Sequence, residues 1–343
     1  MERIVLMRNA IEQLYRVENE LKALQMNGKE LTEDFLARTH TPAFHQVLAS
    51  NDNLQSGLDF GFAIFLEAKI PVEILRASSL VGFQGHITRI DRAAINAFFL
   101  DEFGCDISRV DVVESGYIPS YAEAVAYPCG ENNHYIVIPS LGTSTFVSNE
   151  ILVHEFGHTV EFSARRQSED PVQILNFTLL SEAIAHYYQM VYMLKHSTKE
   201  ERLSMLSSVT EAYVFYRFME TMLTIDNKAQ TFDFAKMRQH PLYSDLNAAY
   251  RDMGLLDNLE RMYQGRNFYL DYNEHHAKRM GVFLSLNIIR HKLDITELFK
   301  PKFPKGGTIS LIELLKQTQL DLAILFDFSS MEETVTDFVN GTL

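Results

Sequence analysis

One pentapeptide, His154-Glu155-Phe156-Gly157-His158, constrains this chain more than any other stretch. It is interleaved with Ile151, Leu152 and Val153 and follows a Thr143 to Ser148 run that supplies N-cap candidates, so the segment reads as a partly buried helix. Residues four apart on a helix stand one turn above each other. His154 and His158 therefore share a face and can offer two imidazole nitrogens to one Zn²⁺ at roughly 2.0–2.1 Å. Glu155 lies beside them, where its carboxylate can accept a proton from an attacking water without itself being a ligand. A surface helix that merely carries two polar histidines is the bland reading, and the apolar residues between them argue against it.

His-Glu-x-x-His also arises by chance, so its surroundings must support it. A catalytic metal needs a third protein ligand and one open position. Glu182 stands 24 positions after His158 in Leu179-Leu180-Ser181-Glu182-Ala183-Ile184-Ala185-His186, an acid in an otherwise apolar helical pattern. A connector containing Pro171 lets that second helix fold back on the first. Two further residues compete for the role. Glu161 falls one turn after His158, and His186 one turn after Glu182.

The remainder of the chain is that of a folded globular protein. Its 343 residues are 46% hydrophobic and 22% charged, which excludes collagenous, disordered and low-complexity classes. A formal charge of -14 repels phosphate backbones and anionic lipid, so neither nucleic acid nor a membrane surface is an expected partner. Two cysteines, Cys105 and Cys129, are too few for a disulfide framework and suit a reducing compartment. The N-terminus lacks the pattern of a signal peptide, and no apolar window reaches the roughly 20 residues that span a bilayer. A cytoplasmic protein is expected. Nothing in the residues specifies an oligomeric state.

Three segments follow from the periodicities. Residues 1–108 are expected to be helical, opening with an amphipathic helix that places Ile4, Met7, Ile11, Leu14, Val17, Leu21 and Leu24 on one face. Residues 109–200 hold short β-branched and aromatic runs at Val110 to Val113, Tyr121 to Tyr127 and His134 to Ile138, read as a small antiparallel sheet, and then the metal-binding helices. Residues 201–343 return to helical periodicity, broken at Pro241, Gly254, Gly265 and the Pro301 to Gly307 stretch. The fold class is mainly α with a small antiparallel β-sheet next to the helix of His154 and His158, the three segments forming one continuous catalytic unit.

His-Glu-Phe-Gly-His, followed by Glu182-Ala183-Ile184-Ala185 and preceded by a β hairpin, resembles the gluzincin metallopeptidases, in particular the helical oligopeptidases of the thimet oligopeptidase and oligoendopeptidase F kind. The resemblance spans roughly Tyr121 to Leu194. It implies a gluzincin-like fold, two helical lobes around a cleft, one Zn²⁺ per chain held by His154, His158 and Glu182, and a peptide or protein as substrate. It also implies an edge strand that pairs with extended substrate, here Tyr121, Ala122, Glu123 and Ala124. A weaker likeness at Phe268 to Gly281 points to Tyr272 and His276, flanked by His275 and Arg279, as donors to a developing oxyanion. The chain departs from the group at His186, where several gluzincins carry an Asp that orients a ligand histidine, so another acceptor or His186 itself must do this. The expected activity is zinc-dependent hydrolysis of peptide bonds with Glu155 as general base. The alternative is a catalytically inactive zinc-binding or interaction protein on the same fold.

Overall fold

The computed structural model describes residues 70–81, 91–115, 124–127, 134–139, 148–166, 178–250, 255–268, 276–300 and 311–343. The expected N-terminal amphipathic helix lies outside them. The chain divides into two units, the first taking in residues 1–54, 85–192 and 294–320, the second 55–84, 193–293 and 321–343. Among the described residues no helix is long and apolar enough to cross a membrane.

In the first unit, helix α1 (Arg92–Phe103) starts on Asp91, whose carboxylate accepts from the Ala94 amide, and stops at Gly104. The glycine adopts φ +63°, a left-handed conformation that costs it nothing, and its amide closes the last turn. A mixed sheet follows, with strands β1 (Asp111–Ser115), β2 (Val125–Tyr127) and β3 (Tyr135–Pro139) in the order β1-β3-β2. β2 and β3 pair antiparallel, as their hairpin-like spacing requires, but β1 runs parallel to β3 with Asp111 opposite Tyr135. The all-antiparallel expectation is thus corrected. β1 occupies the edge of β3 that β2 leaves open, and local alternation carries no information about that choice. β3 is the central strand and its Tyr135, Ile136, Val137 and Ile138 are all buried.

Helix α2 (Asn149–Arg166) packs on β2 and β3, and His134 at the start of β3 bonds through Nε2 to Ser163 Oγ at 3.0 Å. The expectation of a sheet beside the helix of His154 and His158 holds. Helix α3 (Thr178–His196) follows, leaving the first unit after Tyr192. Phe99 and Phe103 of α1 pack on Phe156 and Tyr188, with ring centroids 6.0 Å apart for Phe99–Phe156 and 4.7 Å for Phe103–Tyr188. This aromatic cluster anchors the apolar sides of α2 and α3 and leaves their polar residues on another face.

The second unit is built on α5 (Lys199–Ile225), entered through a capping box of Thr198 and Glu201; α4 (Val72–Val81) packs along it and bonds through Ser78 to Thr210. The mid-section of α5 is buried almost all round, through Val214, Phe215, Tyr216, Phe218 and Met219, as a central helix should be. Around it lie α6 (Phe234–Met237), α7 (Pro241–Tyr250), α8 (Leu255–Tyr263), α9 (Ala277–Arg290) and α12 (Met331–Asn340). Pro241 opens α7 at the first helical position, where its missing N–H does no harm. The short helix α11 (Leu322–Leu325) completes the described part of this unit, while the 3₁₀ turn at Ile295–Phe299 and the short helix α10 (Leu311–Leu315) belong to the first unit.

Candidate metal centre

Two helices can present side chains to one ion only if their backbones come close, and Gly157 provides for that. A Cβ added there would lie 2.8 Å from Ala185 Cα and 3.0 Å from the Tyr188 ring, so α2 and α3 touch at a point where only glycine fits. On α2, His154, His158 and Glu161 fall at i, i+4 and i+7; on α3, Glu182, His186 and Gln189 repeat the same spacing. The two polar stripes therefore meet beside the Gly157–Ala185 contact.

His154 Nε2 lies 3.3 Å from Glu182 Oε2. Among the described residues, His154, His158 and Glu182 form a group whose ligand atoms all fall within 4.8 Å of one another. Ligands 2.0–2.1 Å from a tetrahedral ion stand about 3.3–3.4 Å apart, so the first separation is already that of two donors on one metal. The three side chains are 13, 12 and 18% exposed. Glu155, on the same turn, is 8% exposed.

Each of the two candidate ligand imidazoles is hydrogen-bonded at Nδ1, so Nε2 is the nitrogen left for a metal. Gln189 Oε1 accepts from His154 Nδ1 at 3.2 Å and from His186 Nδ1 at 3.0 Å. Ser181 Oγ accepts from His158 Nδ1 at 3.2 Å and donates to Glu161 Oε2 at 2.6 Å. Orientation of this kind is what a ligating histidine requires. His186 shares the Gln189 acceptor with His154. Its ring packs on His154 with centroids 4.5 Å apart. Burial and the neighbouring His154 push His186 down to about 3, so it is neutral at physiological pH.

Charge in the site is unbalanced towards carboxylates. Burial opposes a charge on His158, but the Glu161, Glu182 and Glu155 carboxylates outweigh it and raise the imidazole to about 9. A site that draws a proton onto a histidine in this way is one that favours a cation. Glu161, the competing acid, is 1% exposed and lies on the Nδ1 side of His158 at 4.0 Å. It is directed to the back of the ring, whereas Glu182 faces His154 Nε2.

Of the other expected site residues, Ala124 is buried immediately before β2, which pairs with β3 alone among the described residues and forms an edge of the sheet. Tyr121, Ala122, Glu123, Tyr272 and His275 lie outside the described residues. His276 precedes α9 in the second unit and is fully buried, with Nε2 2.9 Å from Tyr263 Oη and its ring stacked 4.0 Å from Phe215. Arg279 forms an ion pair with Glu211 at 2.9 Å. Ser181 and Gln189 were not singled out from the sequence; the available signal was their position on the Glu182 face of an otherwise apolar helix. No protein-family model, curated protein or solved structure matches the chain.

Proposed function

We propose that the chain is a zinc-dependent metallopeptidase of gluzincin type, with His154, His158 and Glu182 as ligands and Glu155 as general base. The observation that carries this reading is the approach of three donor atoms from two helices to within 4.8 Å, with both imidazoles held at Nδ1. Bound zinc supplies a Lewis acid that polarises a scissile carbonyl and acidifies water at neutral pH.

The chain's own residues do the rest. Glu155 is not one of the three ligands, so its carboxylate is available to take a proton from the attacking water and return it to the departing amine. Gln189, Ser181 and Glu161 keep the imidazoles in the tautomer that donates at Nδ1. The edge of β2, next to Ala124, is suited to main-chain bonding with an extended peptide, which recognises substrates with little regard to side chain. The proposal includes a gluzincin-like fold with two helical lobes around a substrate cleft, a peptide or protein substrate, and a cytoplasmic location.

The test is bound zinc per chain, then cleavage of a mixed peptide pool with and without a chelator. One equivalent of zinc and chelator-sensitive cleavage are expected. A chain that holds zinc and leaves every peptide intact would instead be the non-catalytic zinc-binding protein.

A further inference from the structure

Glu161 is the one carboxylate of the cluster that is almost wholly withdrawn from water, at 1% exposed. A buried carboxylate is costly unless hydrogen-bonded. Ser181 Oγ donates to it at 2.6 Å, within the short range of bonds to an ionised acceptor. A hydroxyl has one proton. Having given it to Glu161, Ser181 can only accept from His158 Nδ1, at 3.2 Å, so the direction of the chain is fixed as Nδ1–H to Oγ–H to carboxylate. The direct His158 to Glu161 separation of 4.0 Å is too long for a hydrogen bond. Ser181 precedes the ligand Glu182 on α3, whereas Glu161 and His158 belong to α2. The relay therefore ties the backbone that positions one ligand to the ring of another.

Resting on the zinc-site reading above, we propose that Ser181 and Glu161 act as a single positioning relay that fixes the metal-binding tautomer of His158 and supplies a compensating negative charge behind it. Gln189 serves His154 by a neutral amide, so the two ligand histidines are supported by different chemistry.

The experiment is a competition titration of zinc against a chromophoric chelator, using the full chain and its Ser181→Ala, Glu161→Gln, Ser181→Ala/Glu161→Gln and Ser181→Thr variants. Each of the first two substitutions is expected to weaken zinc binding by about 10- to 100-fold. The double variant should fall no further than the weaker single one, within about threefold, because the relay is broken once. Ser181→Thr keeps the hydroxyl and should restore affinity. The visible bands of the cobalt-substituted protein should change in the Ala variant and return in the Thr variant, a pattern that general loosening of the helix pair would not give. Single variants with wild-type affinity, or effects that multiply in the double variant, would overturn the relay, as would a wild-type chain without affinity for zinc. Because the readout is metal affinity, absence of peptide cleavage would count against the enzyme and not against the relay.

Discussion

His154 and His158 in the first unit and His276 in the second are all imidazoles largely withdrawn from water, yet their surroundings differ in kind. The first two have hydrogen-bond acceptors at Nδ1 and, for His154, a carboxylate in front of Nε2. His276 directs Nε2 at the Tyr263 hydroxyl, stacks on Phe215 and has the Tyr263 ring 5.7 Å away. The difference teaches that burial of histidine is not in itself a metal signature. What distinguishes the candidate metal-binding pair is a support at Nδ1, combined for His154 with an acid facing Nε2, whereas His276 serves as a packing element among aromatic rings.

Four substitutions break or sharpen this contrast, in order of decreasing effect. Glu155→Gln should lower peptide hydrolysis by about 10²- to 10⁴-fold while zinc content stays at one equivalent; steady-state rates and metal analysis of the same preparation check both halves. Gln189→Leu removes the acceptor behind His154 and should weaken zinc by about 10- to 100-fold with little change in global fold. Gly157→Ala forces a methyl against Ala185 and should cost about 1–3 kcal/mol of stability through overpacking, read by denaturant unfolding of the metal-free chain. His276→Phe keeps the ring and loses the bond to Tyr263, a change of about 1 kcal/mol. That variant should bind zinc normally; a fall in kcat at unchanged stability would move His276 from the packing class into the catalytic one.

The parts of this picture that were legible in the sequence are those fixed by spacing along one helix. His154, Glu155 and His158 are an i, i+1, i+4 set, and Glu182 stood out as an acid among Leu179, Leu180, Ala183 and Ile184. Pro241 reads in the sequence as a break in the helical pattern and stands in the structure at the first position of α7, a place its fixed backbone favours. What was not legible depends on which elements meet. The parallel docking of β1 on β3 is a tertiary choice, and hairpin signals spoke only of β2 and β3. Ser181 and Gln189 look like ordinary helix residues until α3 is laid against α2. Of the expected donors, Tyr272 lies outside the described residues, His276 bonds to Tyr263 and Arg279 pairs with Glu211.

The most direct test of the central claim is zinc-edge anomalous diffraction from crystals of the zinc-loaded protein. One anomalous peak is expected between α2 and α3, within about 2.0–2.2 Å of His154 Nε2, His158 Nε2 and a Glu182 carboxylate oxygen. A peak ligated by Glu161 or His186 in place of Glu182, or no peak between these helices, would contradict it.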